Sequence, residues 1–270
     1  MLARLVTIPI SHYCEKARWA LDRAGVAYRE ERHVQIVHRV ASRRAGGGGT
    51  VPVLVAPEGV FAQSADILAY ADRHTAPGAR LYPEEPGLRA EVVALERDFD
   101  ADLGPEGRRW MYFHILPRRD LGRAYNCTGV PAWERRAFPL MLGAMSGYVR
   151  HLFAIGPETG VQAGAAVQRT FDAVADRLQD GRRYLCGDAF TAADLAFAAL
   201  AAPALVPPQY GVALPQPDEL PPDMAAGVRA FRAHPAGAFA CRLFSEERYP
   251  PSAAMSRVPT GPLGPATGSS

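Results

Sequence analysis

The chain has 270 residues, of which 48% are apolar and 21% charged, and its formal net charge is +2. This composition is typical of a folded soluble protein, and the length suffices for one large domain or two modest ones. The small net charge and the lack of any basic cluster with interleaved aromatic residues give no support to a nucleic-acid-binding function.

The sequence further predicts a cytoplasmic protein with neither a membrane span nor a metal site. No secretory signal pattern is present at the N-terminus, and the longest apolar run, 195–206, is broken by Pro203 and too short to cross a bilayer. The four cysteines are far apart, which is typical of reduced thiols rather than disulfides. The seven histidines show none of the spacings of metal ligands.

The first eighty residues alternate strand and helix patterns. Residues 2–8 have the composition of a short buried strand, and apolar residues recur at helical spacing over 12–24, where Gly25 is typical of a helix end. Residues 27–34 predict a second strand, and the polar, glycine-rich stretch that follows predicts an irregular loop. V-P-V-L-V and V-F-A around P-E-G indicate a hairpin, and 64–74 a helix.

The remainder is rich in alanine, leucine and arginine and has helical periodicity over 86–116, 131–153, 160–180 and 190–202. The proline-rich stretch 203–222 predicts an extended surface loop, and 251–270 a flexible tail. We therefore expect one domain over 1–78 and an all-helical domain over 86–250.

The stretch S-H-Y-C lies where the first predicted helix begins. A helix N-terminus stabilises an anion, so Ser11 could donate a hydrogen bond to a ligand anion, and Cys14 could have a lowered pKa if it faced the same end. The same residues also fit an ordinary N-cap serine followed by a small buried cysteine. The stretch alone leaves both interpretations open.

Two further motifs in this half are also ambiguous. In T-V-P-V-L, a cis bond before Pro52 would turn the Val51 backbone toward a peptide-like ligand, whereas a trans proline would simply mark a sheet edge. In Q-S-A-D, Ser64 is a candidate N-cap whose helix end could hold a carboxylate, with Gln63 adding a hydrogen bond, or it is a cap and nothing else.

A fourth motif, Y-L-C-G-D-A-F-T-A-A-D-L, has a structural interpretation. Thr191 and Asp194 fit a capping box at the start of a buried helix.

Taken in order, the four motifs resemble those of the glutathione transferase superfamily. The match covers residues 1–80 well, and the helical half only around 184–200. The resemblance implies an α+β thioredoxin-like domain (βαβ-ββα) followed by an all-α domain. It also implies a homodimer that uses glutathione as co-substrate, with a small electrophile as its second ligand.

The resemblance also implies individual roles. Ser11 would hydrogen-bond the glutathione sulfur, Val51 would pair with the tripeptide main chain beside a cis Pro52, and Gln63 and Ser64 would hold the γ-glutamyl end. The glycyl carboxylate would be bound by Arg39, Arg43 or Arg44. His12 departs from the proline common after the catalytic residue in this family.

The helix containing Arg109, Trp110 and Phe113 is expected to face the cleft, so these residues are candidates for the electrophile pocket, although their spacing fits core packing equally well. Two other functions stay open: a glutathione-dependent thiol-disulfide enzyme using Cys14, and a non-catalytic binding protein that kept the fold.

Overall fold

The computed structural model of the protein describes residues 2–249, and the predicted flexible tail, 251–270, lies outside them. The N-terminal half has the element order β-α-β-α-β-β-α. Its elements are β1 (Ala3–Thr7), α1 (His12–Arg23), β2 (Tyr28–Arg32), α2 (Val37–Arg44), β3 (Val53–Ala56), β4 (Gly59–Phe61) and α3 (Ser64–His74).

The four strands form one sheet in the order β2-β1-β3-β4. β1 is parallel to β2 and antiparallel to β3, with Leu5 opposite Leu54, and β3 and β4 form the predicted hairpin, with Leu54 opposite Phe61. Leu5 and Leu54 are fully buried in the core that also receives Trp19 of α1. The thioredoxin-like arrangement expected of this half is therefore confirmed.

The prediction of an irregular loop between β2 and β3 is wrong, because residues 37–44 form α2 and the glycines form a compact turn. The Ser42 hydroxyl donates to the Thr50 carbonyl at 2.6 Å and accepts from the Gly49 N–H at 3.1 Å. A Cβ on Gly47 would lie 2.6 Å from a methyl group of Val53. The glycines therefore allow close approach of the turn to β3, instead of marking an irregular chain.

The second half consists of helices and connecting turns, with no strand among its described residues. Its helices are α4 (Pro86–Asp98), α5 (Gly104–Ile115), α6 (Arg119–Asn126), α7 (Ala132–Leu152), α8 (Pro157–Arg177), α9 (Ala192–Leu205), α10 (Pro222–Ala233) and α11 (Pro235–Glu247), with a π-helical turn at Phe99–Leu103 and a 3₁₀ turn at Pro217–Glu219. Within residues 2–249, no helix combines the length and apolar character needed to cross a membrane.

Helix α9 lies at the centre of the helical half, and all its residues are buried. The predicted capping box is confirmed: the Asp194 carboxylate accepts from the N–H and hydroxyl of Thr191, each at 2.8 Å, and from the Leu185 N–H at 2.7 Å. Burial raises the pKa of Asp194 to about 6 in spite of these hydrogen bonds.

The prediction of an extended surface loop over 203–222 is wrong in two respects. First, α9 continues through Pro203 to Leu205. Second, Tyr210 and Val212 are buried, and the Tyr210 hydroxyl donates to the Ile10 carbonyl at 2.9 Å. The segment therefore packs against the N-terminal half, where its apolar side chains are buried. Helices α10 and α11 were not predicted.

Candidate functional site

A cavity of about 340 Å³ opens between the loops at one end of the N-terminal sheet and the helices α5 and α7. Its walls are formed by four segments: the β1–α1 loop with the first residues of α1, the start of α2, the turn before β3, and the facing sides of α5 and α7. Its lining includes Ser11, His12, Tyr13, Gln35, Ile36, His38, Arg39, Val51, Arg108, Met111, Tyr112, Tyr148 and Phe153.

Ser11 lies on the cavity wall at the N-terminus of α1. It is the N-cap residue, with extended backbone, and its hydroxyl oxygen accepts from the Cys14 N–H at 3.4 Å. A serine hydroxyl that accepts one hydrogen bond still has its own proton to donate. The side chain can therefore cap α1 and donate to a ligand atom in the cavity at the same time.

A buried arginine fixes the loop that carries Ser11. The Arg18 guanidinium donates to the carbonyls of Ile8 and Pro9 at 3.2 and 3.1 Å. It also pairs with Glu30 at 2.7 Å and Glu15 at 3.1 Å, so its charge is compensated in the interior. These contacts explain why an arginine two turns into α1 matters at its N-terminus.

The turn before β3 forms a second wall. The Val51–Pro52 peptide bond is cis. Val51 lines the cavity together with Gly49 and Thr50, whereas Pro52 is buried beneath it. Because Gly49 has no side chain, this wall includes main-chain atoms.

The start of α2 forms the third wall, which is mainly polar. Arg39 donates to the Tyr148 hydroxyl of α7 at 2.9 Å, and Gln35 donates to the Tyr112 hydroxyl of α5. Ile36, with φ 75° and ψ −54°, has the rare γ-turn backbone that leads the chain into α2. Side chains of the helical half thus fix this wall across the cavity.

Helix α5 and the end of α7 form the fourth wall. The Arg108 guanidinium stacks over the Phe153 ring at 4.2 Å, and Tyr112 stacks with the same ring at 5.9 Å. His12 faces this wall from α1, and burial together with the nearby Arg108 charge lowers its pKa to about 3. The imidazole is therefore neutral near pH 7.

Cys14 lies behind the wall rather than on it. It is fully buried, and burial raises the pKa of its thiol to about 11 although Arg18 and Ser11 oppose the rise. A thiol with a raised pKa and no solvent access is a poor nucleophile. The structure therefore brings Ser11 to the cavity but not Cys14.

Other predicted site residues lie outside the lining of this cavity. Ser64 is buried, and Gln63, not Ser64, occupies the N-cap position of α3, without a side-chain capping bond. The sequence prediction of Ser64 as the cap is thus wrong by one residue. Arg43 and Arg44 are exposed at the end of α2.

The three residues predicted for the electrophile pocket do not line it. Trp110 is buried against Phe231 and His114, and a Cβ on Gly160 would collide with the Phe113 ring. Arg109 donates to the Phe153 carbonyl at 3.1 Å and pairs with Glu106. The helix does face the cleft, but with its other side, because the Trp110 face packs into the helical core.

On this helix, the cavity-lining residues that sequence reasoning missed are on that other side. Arg108, Met111 and Tyr112 follow the i, i+3, i+4 spacing of a single helix face. The spacing alone could have suggested this face, but it fits the neighbouring face equally well. Among residues 2–249, no group of three or more histidine, cysteine or acidic residues is arranged to hold a metal, and all four cysteines are free.

The fold and this cavity define a class of protein: a thioredoxin-like domain joined to a helical domain, with a cleft between them. The sequence matches the family models for the glutathione S-transferase N-terminal domain over residues 5–79 and C-terminal domain over residues 132–236. The chain belongs to the glutathione transferase superfamily. A search of curated protein sequences gives no significant match.

Solved structures agree with the fold. Glutathione S-transferase III in its apo form has a TM-score of 0.60 at 16% identity, covering 97% of this chain and all of its own. The transferase GSTFuA3 from Phanerochaete chrysosporium has a TM-score of 0.56 at 20% identity, covering 91% and 96%. A glutathione S-transferase from Methylobacillus flagellatus KT, with glutathione bound, has 0.51 at 16%, covering 88% and 98%. At these identities the similarity supports the fold alone.

Proposed function

We propose that the protein is a glutathione transferase that binds glutathione in the cavity and activates its thiol at Ser11 for attack on a small electrophile. The observation that carries the proposal is the Ser11 hydroxyl, which caps α1 on the cavity wall with a proton left to donate. By analogy with family members, we also propose a cytoplasmic homodimer.

The chemistry is the stabilisation of a thiolate in the bound ligand. The N-terminal N–H groups of α1 and the positive end of its dipole favour a negative charge beside Ser11. A hydroxyl donor adds a charge-assisted hydrogen bond to the thiolate sulfur. Lowering the thiol pKa by about two units corresponds to about 2.7 kcal/mol, which these groups together can supply.

The remaining roles follow the walls of the cavity. The Val51 main chain beside the cis Pro52 would pair with the cysteinyl part of glutathione, and Arg39 would meet its glycyl carboxylate. Gln63 and Ser64 stay our proposal for the γ-glutamyl end, supported by the Q-S-A-D motif rather than by the lining of the cavity. The burial of Cys14 and its raised thiol pKa favour this function over thiol-disulfide exchange.

The test joins calorimetry with kinetics. We expect the wild-type protein to bind glutathione and Ser11→Ala to bind it with an affinity within about threefold, while kcat/KM for a reactive aryl halide falls about 100-fold. The ultraviolet absorbance of the thiolate should show that the pKa of bound glutathione rises in the variant.

Cys14→Ala is the matched control, because it removes the other candidate sulfur site of the same helix turn while the Cys14 backbone N–H remains. Its conjugation rate should stay within about threefold of wild type. An unchanged rate in Ser11→Ala with a stable glutathione adduct on Cys14 would establish the thiol-disulfide function instead. Binding without turnover of any electrophile would indicate a non-catalytic binding protein.

A further inference from the structure

The charge of the cavity is one-sided. Two arginines, Arg39 and Arg108, line it, and none of its lining residues is acidic. His12 and His38 add no charge near pH 7, because burial and the neighbouring arginines Arg108 and Arg39 lower their pKa values to about 3 and about 4. The cavity therefore presents positive charge to whatever it binds.

Arg39 and Arg108 differ in what they contact. Arg39 lies on α2 and donates to the Tyr148 hydroxyl at 2.9 Å, on the side where the glycyl carboxylate of glutathione is proposed. Arg108 lies on α5, on the opposite wall. Within residues 2–249, no carboxylate forms an ion pair with Arg108, and its Nε is buried without a hydrogen-bond partner.

An arginine in this state favours an anionic ligand. Burial of a guanidinium N–H without a partner costs free energy, and a carboxylate that accepts from it recovers that cost with a charge-assisted hydrogen bond. The Phe153 ring, 4.2 Å from the guanidinium, holds the side chain in place by stacking. The position and charge of Arg108 are therefore preorganised to bind an anion.

The surroundings of Arg108 define the rest of the ligand. Tyr112 and Phe153 are stacked with an interplanar angle of 14°, and Met111 extends the same apolar wall. Arg108 lies close enough to Tyr13 for its charge to act on that hydroxyl, and Tyr13 is two residues from Ser11. An anion on Arg108 thus lies on the same side of the cavity as the N-terminus of α1.

We propose that the second substrate is an electrophile with a carboxylate attached to an aromatic or apolar body, and that Arg108 binds this carboxylate. The inference rests on the proposed function. Glutathione uses the α1, α2 and β3 walls, so Arg108 serves the acceptor and sets its charge specificity.

A substitution reaction suits the test, and it requires only the thiol and the acceptor. The sulfur forms a bond to the chlorine-bearing ring carbon with its own electron pair, the carbon–chlorine pair leaves with chloride, and the thiol proton goes to solvent. The probes are the chloronitrobenzoate with chlorine para to the carboxylate and ortho to the nitro group, and its primary amide, which has the same shape without the charge.

Each kcat/KM is divided by the rate constant for free glutathione in solution, which corrects for the different reactivity of the two rings. We expect wild type to prefer the acid by about 10- to 100-fold, the value of one charged hydrogen-bonded contact. Arg108→Gln should lose this preference by slowing the acid alone, and Arg108→Lys should keep part of it. Arg97→Gln, an exposed arginine on α4, is the matched control and should keep all of it.

A second measurement uses the unaltered protein and so holds even if an Arg108 variant does not fold. In calorimetry, the purified glutathione conjugate of the acid should bind more tightly than that of the amide, with the preference weakened by salt. Equal binding of the two conjugates, or an equal loss of both rates in Arg108→Gln, would overturn the inference; the latter result would assign Arg108 to the thiolate. If glutathione does not bind at all, the proposed function itself fails and the inference with it.

Discussion

Ser11 and His12 are neighbours in the chain that contribute to the cavity in opposite ways. Ser11 offers a hydroxyl that is already oriented by the Cys14 N–H. His12 is only 2% exposed, and its Nε2 is buried without a hydrogen-bond partner. Where the family commonly has a proline, this chain therefore has a neutral imidazole that is held in place by burial.

The low pKa of His12 predicts that the free energy of unfolding decreases at acidic pH. Its pKa falls from 6.5 to about 3 on folding, so the unfolded chain binds a proton that the folded chain does not, and stability is lost as pH falls below 6.5. Relative to His12→Asn, wild type should lose about 1.4 kcal/mol of unfolding free energy per pH unit between pH 6.5 and about 3, below which both states bind the proton. Urea unfolding of both proteins at several pH values measures this difference.

His151→Asn is the matched control, since His151 is exposed on α7. Its unfolding free energy should follow wild type within about 0.5 kcal/mol at every pH. Parallel pH profiles for wild type and His12→Asn would contradict the assignment of a buried, neutral imidazole.

At the scale of elements, the π-helical turn between α4 and α5 determines how the helical wall meets α1. In a π-helical turn the hydrogen bonds skip one residue further than in an α-helix, which shifts the residues that follow. The Asp100 carbonyl accepts from the Tyr13 hydroxyl at 2.8 Å, and Gly104 lies directly under the same hydroxyl. The turn thus fixes a cavity-lining tyrosine, and the glycine makes room for it.

Gly104→Ala should therefore destabilise the protein, although alanine has a higher helix propensity than glycine. The new methyl group would collide with the Tyr13 hydroxyl and break its bond to Asp100, so we expect a loss of about 1–3 kcal/mol in unfolding free energy. Chemical denaturation measures the loss, and conjugation rates should fall as the wall moves.

Gly147→Ala in α7 is the matched control, because no atom lies within 4 Å of the added Cβ. This substitution should stabilise the protein by about 0.5–1 kcal/mol through helix propensity alone. A neutral or stabilising Gly104→Ala would show that Tyr13 does not need its present position.

At the scale of the whole molecule, α1 joins the two halves through buried polar contacts. Lys16, fully buried, pairs with Glu96 at 2.8 Å and Asp100 at 2.6 Å. Near Lys16 on the same helix, the Trp19 Nε1 donates to the Glu247 carbonyl at 3.2 Å, and Arg248 pairs with Glu15 at 2.6 Å. Because these contacts link α1 to the helical half, the positions of the cavity walls depend on how the two halves pack together.

Removal of the Lys16 charge should weaken the whole protein. Lys16→Met leaves Glu96 and Asp100 without their cation, and we expect a loss of about 3–5 kcal/mol because an unpaired buried carboxylate is unfavourable. The change should appear as one cooperative transition shifted to lower denaturant, since both halves share the contact.

Arg229→Gln is the matched control, because it breaks an ion pair with Asp218 on the exposed surface of α10 and should cost less than about 1 kcal/mol. Equal losses in Lys16→Met and Arg229→Gln would show that burial of the lysine pair contributes nothing to stability.

Much of the fold could be predicted from local pattern. The alternation of strand and helix, the hairpin at P-E-G, the long helices and the Thr191 capping box depend on neighbours in sequence, and their prediction is confirmed. Helix α2 was missed because four glycines follow it directly, and glycine signals a loop unless close packing requires it, as at Gly47. The burial of Tyr210 was missed because its partner, Ile10, is two hundred residues away.

The candidate site likewise has parts that local sequence predicts and parts that it does not. The family, the thioredoxin-like and helical halves, and the three motifs that include Ser11, Val51 and Ser64 could be predicted from sequence, because each motif is a local run of residues. The burial of Cys14 behind the wall and the position of Arg108, rather than Arg109, on the cavity could not be predicted, because both depend on tertiary packing. A helix has several faces of similar composition, and which of them meets a cavity is decided by how distant segments pack against it.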